Sequence, residues 1–363
     1  MSVALANMAE PAGDRSRVLI VDDSAVARAV IARCLEPTER FVVAGSVAHA
    51  AAALRFLQTQ RVDFILLDVQ MPGVDGITAL PDLLVAGRGA KVIVVSTTAN
   101  VGAAVTVQAL AQGAADTLAK PASGESQSRF RRDLIDKLDR LDGAVPPSLL
   151  ICPLPDNRKP VRPLGKSGGV GDAFDLVAIG ASTGGIHALS SVLRMLPVSF
   201  TLPVLVTQHL PASFMPYFAA QLALVAGRPC DVATDHLRLR PGRIVIAPGD
   251  AHIRCIRLSD GSGAIRLSQD AVPSGCLPSV DPMLQSAAAA FGDRVMAIVL
   301  SGMGRDGADG ARRVHEAGGC VVVQDRESSV VWGMPGTVAA MGIADAQLPP
   351  DRIGRLMIER RRP

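Results

Sequence analysis

The chain has 363 residues, 48% hydrophobic and 20% charged, with a formal net charge of +3. That length exceeds what one core ordinarily organises, so two domains are expected. The near-neutral balance lacks the basic footprint of a nucleic-acid binder, and no apolar run approaches the ~20 residues of a membrane helix. The opening MSVALANMAEPAGDRSR has no basic region ahead of an apolar stretch, so no secretory signal is expected. Six cysteines (Cys34, Cys152, Cys230, Cys255, Cys276, Cys320) are scattered without a C-x-x-C, which argues against a zinc knuckle and fits a reducing cytoplasm.

In chain order, apolar runs at 18–21, 41–46, 64–69, 91–96 and 116–120 alternate with helical patterns such as Val26 to Leu35 and Val105 to Gln112. Continuous apolar strands separated by helices predict a parallel sheet covered on both faces. In SQSRFRRDLIDKLDRL, Phe130, Leu134, Leu138 and Leu141 recur at helical spacing among charges and predict an amphipathic helix. Residues 142–173 are rich in Pro and Gly and read as a linker. From Phe174 a second α/β pattern follows, with runs LVAIG, LPVLVTQH, RIVIAPG, VMAIVLSG and CVVVQD. IRCIRL and AIRLSQ, separated by Asp260-Gly261-Ser262-Gly263, predict a hairpin.

Asp22 and Asp23 follow the first run and Asp68 ends the third. In a parallel sheet these ends share the edge where ligands bind. Three carboxylates there repel one another, and a hard cation such as Mg²⁺ relieves the repulsion. Ser96 and Lys120 end two further runs and offer a hydroxyl and a cation to a bound anion. VDDS, LLDVQMPGVDG, VVSTTA and AKP together make this stretch resemble a response-regulator receiver domain over residues 16–141. The resemblance implies a flavodoxin-like parallel sheet, Asp68 as phosphoacceptor, and Asp22, Asp23, Asp68 and the Gln70 carbonyl as Mg²⁺ ligands. It also implies Ser96 and Lys120 as switch and phosphate partners, a cis peptide before Pro121, and a histidine kinase as phosphodonor. An aromatic switch residue is common three positions before the lysine; here Thr117 stands there.

In the second region Gly180-Ala181-Ser182-Thr183-Gly184 matches G-x-S-x-G. A strand, a tight turn and a helix would hold Ser182 near a helix N-terminus, where backbone N–H groups favour a developing oxyanion. The competing reading makes Ser182 a helix N-cap. A phosphate-binding turn fits poorly, since no P-loop lysine follows Gly185. A nucleophilic serine needs a base. His209 ends LPVLVTQH, on the sheet edge expected for Ser182; His187 and His252 are its rivals. Asp306, in SGMGRDG, is placed to orient the base, with Asp309 read as a helix N-terminal residue.

AIGASTGG, TQHLPASF, IAPGDAH, LPSVDPML, SGMGRDGADG and VVWGMPG make residues 174–361 resemble the catalytic domain of the chemotaxis protein-glutamate methylesterases. That resemblance implies a doubly wound, mainly parallel α/β domain that hydrolyses glutamate methyl esters on chemoreceptor helices and deamidates certain glutamines. It implies a triad of Ser182, His209 and Asp306, an oxyanion hole of the Thr183 and Met303 amides, and no cofactor in this domain. It also implies a receiver that covers the cleft until phosphorylated, and a cytoplasmic protein that neither enters the membrane nor binds nucleic acid. Family members often carry His-Arg before the Pro-Ser-Val-Asp segment, where Cys276-Leu277 stand, and Arg305 sits where a neutral residue is common. These departures leave a second reading, a phosphorylated docking module with a weak or repurposed esterase domain.

Overall fold

The computed structural model describes residues 15–96, 100–120, 127–142 and 174–359. The expected linker, the cis peptide before Pro121 and Cys152 therefore lie outside the described residues.

The first domain alternates strand and helix. Its elements are β1 (Ser16–Val21), α1 (Ala25–Leu35), β2 (Phe41–Val47), α2 (Ala50–Thr59), β3 (Phe64–Asp68), α3 (Gly76–Ala86), β4 (Lys91–Ser96), α4 (Asn100–Gln112), β5 (Asp116–Ala119) and α5 (Gln127–Leu141). The five strands are parallel, in the order β2-β1-β3-β4-β5. Every residue of β3 is buried, as a strand with helices on both faces requires. The stripe of α5 behaves as its spacing predicts: Phe130, Leu134, Leu138 and Leu141 are buried against the sheet while the charges between them face outward. Ser24 caps α1 by accepting from the Ala27 amide (3.2 Å), so the turn after β1 presents Asp22 and Asp23 just ahead of a capped helix.

The second domain begins with β6 (Leu176–Ala181), α6 (Gly185–Arg194), β7 (Val204–Gln208), α7 (Met215–Ala226), β8 (Cys230–Val232) and β9 (Ile244–Ile246). The hairpin β10 (His252–Arg257) and β11 (Gly263–Ser268) pairs antiparallel, as its turn residues predict. It continues with α8 (Val280–Phe291), β12 (Val295–Val299), α9 (Ala308–Glu316), β13 (Cys320–Gln324), α10 (Met334–Ala340), β14 (Ala346–Leu348) and α11 (Pro350–Glu359). Seven parallel strands run β14-β13-β12-β6-β7-β9-β8. The three-residue edge strands β8 and β14 are too short for a sequence pattern; pairing to β9 and β13 defines them.

Each sheet has a central point where strand order reverses. In the first it falls between β1 and β3, and in the second between β6 and β12. At such a point the connections leave in opposite directions and open a crevice at the carboxyl ends of the strands. The domains meet through α4, which packs on α6 and α7. Apolar packing is continuous across this contact, from Val107, Leu110 and Ala114 to Ile186 and Leu189.

Candidate active site and phosphoacceptor pocket

At the first crevice, Asp22 and Asp68 are 1% and 2% exposed. Lys120, just past β5, reaches across with Nζ 2.9 Å from Asp22 Oδ2 and 2.8 Å from Asp68 Oδ2. The Gln70 amide donates to Asp68 Oδ1 at 3.3 Å. Burial pushes the Asp68 carboxyl above the usual range; Lys120 offsets part of that, and the Asp22 charge adds to it. Lys120 is also opposed by burial, but the two carboxylates raise its pKa. Asp22, Asp23 and Asp68 bring carboxylate oxygens within 4.8 Å of one another, Asp23 at the exposed rim. An all-oxygen set of this charge fits Mg²⁺. Ser96 ends β4 with its hydroxyl 3.3 Å from that of buried Thr106. Thr117 lies within β5, opposite Val94.

At the second crevice the turn after β6 carries Ser182. Gly184, not Ser182, is the N-cap of α6, at φ +73°, so the capping alternative is set aside. A side chain at Gly184 would meet Val330 at 2.4 Å, and one at Gly302 would meet the Ser182 Cβ at 2.8 Å. Both glycines let neighbouring loops close on the serine. Ser182 is fixed by its main chain: its amide donates to the Ser301 carbonyl (3.0 Å), and its carbonyl accepts from Gln208 Nε2 (3.0 Å).

His209 follows β7, and Asp306 lies in the loop after β12. Nδ1 of His209 lies 3.0 Å from Ser182 Oγ, and Nε2 lies 2.8 Å from Asp306 Oδ2. With Nε2 donating to the carboxylate, the Nδ1 lone pair faces the serine hydroxyl. Asp306 also accepts from Ser279 Oγ (2.6 Å) and the Val280 amide (2.7 Å). Burial pushes its carboxyl up, but these donors outweigh it and hold the group well below the usual range. Burial disfavours the charged ring of His209; the hydrogen bond with Asp306 and the nearness of Cys276 outweigh it and raise its pKa to about 9.

The rival histidines have other partners. His252 is buried, accepting from the Ser279 amide (2.9 Å) and donating to the Asp270 carbonyl (3.0 Å). His187, on α6, donates to the Ala111 carbonyl of the first domain (3.1 Å). Asp309 sits in the first turn of α9 as expected, paired with Arg312. Thr183 and Met303 flank the serine and the Asp306 loop, and among the described residues neither amide donates to a protein acceptor. Arg305 is exposed beside Asp306.

Sequence reasoning overlooked Ser279. Its place before α8 reads as an N-cap, and it does occupy that position, but its hydroxyl makes no cap bond and turns to Asp306 instead. It also overlooked Gln208, which braces the turn of Ser182. The β7 run ends in Gln-His, and the pattern carried no signal separating the two. The cleft above Ser182 and His209 is roofed by the first domain: Leu110, Ala114, Ala115 and Asp116 line it, and it encloses about 60 Å³.

Comparison with known proteins gives a family for each of the two domains. The CheB methylesterase family matches residues 177–357 and the response regulator receiver domain family matches residues 18–128. A protein-glutamate methylesterase/protein-glutamine glutaminase of Azospirillum brasilense is 40% identical over 94% of this chain and 92% of its own length. One from Caulobacter vibrioides is 39% identical over 95% of this chain and 99% of its own. The crystal structure of the Thermotoga maritima CheB methylesterase catalytic domain superposes with a TM-score of 0.50 at 35% identity, covering 51% of this chain and 98% of that one. The chain thus belongs to the protein-glutamate methylesterase/protein-glutamine glutaminase family, enzymes in which a response-regulator receiver domain precedes a methylesterase domain.

Proposed function

We propose that this enzyme removes methyl esters from glutamates of chemoreceptor cytoplasmic helices, and deamidates receptor glutamines, under control of phosphorylation at Asp68. The observation that carries the catalytic part is the unbroken chain Ser182 Oγ, His209 Nδ1, His209 Nε2, Asp306 Oδ2, with links of 3.0 and 2.8 Å. His209 takes the Ser182 proton as Oγ attacks the glutamyl carbonyl, and Asp306 stabilises the imidazolium. The Thr183 and Met303 amides receive the oxyanion. Methanol, or ammonia from a glutamine, leaves with the proton from His209; water then cleaves the acyl-enzyme by the same route. Methanol is too small to be recognised, so specificity comes from docking the receptor helix. Names of relatives 39–40% identical over nearly the whole chain support this substrate class.

The regulatory part rests on the cleft. At about 60 Å³ it has room for roughly two waters, far less than a helix-borne glutamyl ester needs. The roof is the α4–β5 face of the receiver, and Val330 and Val331 from beside Ser182 pack on the receiver core containing Ala115 and Leu118. A histidine kinase supplies the phosphoryl group to Asp68. Asp22, Asp23, Asp68 and the Gln70 carbonyl would hold Mg²⁺, which when bound neutralises charge at the phosphoacceptor. Lys120 then exchanges its two carboxylates for the phosphoryl oxygens and Ser96 reorients, loosening the face that carries α4 and β5. We set the functional units at 16–141, 142–173 and 174–361. Among the described residues no helix is long and apolar enough to cross a membrane, in keeping with a cytoplasmic enzyme that reaches only the soluble part of its receptors.

The direct test is methanol release from methylated receptor membranes by the full chain and by Ser182→Ala. Release that depends on Ser182 supports the reading. Equal release by both proteins, or none from wild type treated with phosphodonor, contradicts it.

A further inference from the structure

The catalytic chain leaves one polar neighbour unused. Cys276 Sγ, a ring nitrogen of His209 and a carboxylate oxygen of Asp306 all lie within 4.8 Å of one another. They come from three segments: the turn ahead of α8, the end of β7 and the loop after β12. Cys276 is half-buried and the His209 side chain is 19% exposed, so the triangle is open to solvent on one side. Of the other described cysteines, Cys34, Cys255 and Cys320 are buried in the cores. Among the described residues only one other such group exists, the all-carboxylate set at Asp22, Asp23 and Asp68.

The two sets suit different ions. Three carboxylates suit a hard cation; one thiolate, one imidazole and one carboxylate are the donors of a borderline-soft ion such as Zn²⁺. Bond lengths of about 2.0–2.3 Å in tetrahedral geometry put neighbouring donors about 3.3–3.8 Å apart, a spacing this triangle reaches with small side-chain shifts. We propose that Cys276, His209 and Asp306 form an inhibitory site for a thiophilic divalent cation, zinc above all, with the fourth position left to water. The proposal rests on the reading of His209 as the base for Ser182.

The inhibition follows from the tautomer. A neutral imidazole has one N–H and one lone pair. Hydrolysis needs the hydrogen on Nε2, facing Asp306, and the lone pair on Nδ1, facing Ser182. A metal held by Asp306 and Cys276 takes the Nε2 lone pair, so the ring hydrogen moves to Nδ1. There it donates to Ser182 Oγ and can no longer accept the serine proton. Cys276 loses its thiol proton to water as the metal–sulfur bond forms, and no redox change occurs.

Cobalt(II), a spectroscopic substitute for zinc, gives a readout independent of esterase activity. Titration of the full-length metal-free protein should produce a thiolate-to-cobalt charge-transfer band that saturates at one equivalent and is displaced by zinc. The receiver carboxylates cannot produce such a band, since they offer only oxygen. The band should vanish in both Cys276→Ala and Cys276→Ser and weaken in His209→Ala, each confirmed as folded by its thermal transition. Zinc should also inhibit methanol release, reversibly with a chelator, and the inhibitory concentration should rise at least about ten-fold in Cys276→Ala, measured against that variant's own uninhibited rate. Absence of the band, a band that persists in Cys276→Ala, or equal zinc sensitivity of the two proteins would overturn the site. A band that depends on Cys276 in a chain that hydrolyses no methyl ester would keep the metal site and reject the esterase reading alone.

Discussion

The two crevices are built alike and tuned in opposite directions. Each lies at the carboxyl end of a parallel sheet where strand order reverses, and each centres on a nearly buried aspartate, Asp68 at 2% and Asp306 at 2% exposed. Burial raises the pKa of Asp68 and the Asp22 carboxylate adds to it, and Lys120 with one long amide donor at 3.3 Å does not offset them. Asp306 accepts from His209, Ser279 and the Val280 amide, all within 2.8 Å, and its pKa is lowered. Fold supplies the place; the count of donors decides what the carboxylate does there. On the proposed function, the aspartate with fewer donors is the one that gains a cation and a phosphoryl group. One fully provided with donors is poised to hold an imidazole still.

The strongest way to break that comparison is to remove the reacting atoms. Ser182→Ala should lower methanol release by roughly 10⁴- to 10⁶-fold while phosphoryl uptake from a small phosphodonor, read by mass, persists. Asp68→Asn should abolish that uptake and the stimulation that goes with it. Next comes a paired test of the aspartates. Asp306→Asn should cost about 10³- to 10⁴-fold in kcat and lower the melting temperature at pH 7. Asp68→Asn should raise the melting temperature by a few degrees. The signs come from linkage. A lowered pKa gives Asp306 a stabilising contribution, complete above the ordinary carboxylate range and lost as pH falls through the folded pKa. A raised pKa means that ionising Asp68 costs stability as pH rises past the ordinary value. A shift of the same sign in both variants would undo the contrast.

The pH profile sharpens the catalytic half. His209 must be neutral to accept the serine proton, and its pKa is raised to about 9. The acid limb of kcat/KM should therefore keep rising through neutrality and level near pH 9. In Cys276→Ala the limb should move to lower pH, because Cys276 is one of the neighbours that raise His209. A limb at about 6.5, the ordinary imidazole value, would mean that Asp306 and Cys276 do not raise His209. Ser279→Ala, which leaves Asp306 Oδ1 without its hydroxyl donor, should cost about ten-fold in kcat, as expected for loss of a buried hydrogen bond to a charge at 1–3 kcal/mol. The smallest effect is at the domain contact. His187→Ala removes the bond to the Ala111 carbonyl, and unphosphorylated enzyme should gain about two- to ten-fold in methanol release, the equivalent of one neutral hydrogen bond.

Much of this was legible before any coordinates. Apolar runs ending at or a few residues before Asp22, Asp68, Ser182, His209 and Asp306 placed each candidate site residue on the carboxyl edge of a sheet, because parallel strands buried on both faces have few other polar positions. The helical spacing of Phe130, Leu134, Leu138 and Leu141 fixed the buried face of α5. Three things were not legible. The edge strands β8 and β14 are defined by pairing partners distant in sequence. Ser279 looks like a cap, and only the approach of the Asp306 loop turns its hydroxyl elsewhere. The approach of Cys276 to His209 and Asp306, three segments meeting in space, leaves no trace in spacing.

The central claim is that a phosphoryl group on Asp68 opens a cleft over Ser182. The most direct measurement is methanol release from methylated chemoreceptor membranes with and without acetyl phosphate plus Mg²⁺, for wild type and Asp68→Asn. Release that rises with phosphodonor in wild type and not in Asp68→Asn is the predicted result. Release indifferent to phosphodonor in a protein shown to carry the phosphoryl group on Asp68, or stimulation retained in Asp68→Asn, would contradict it.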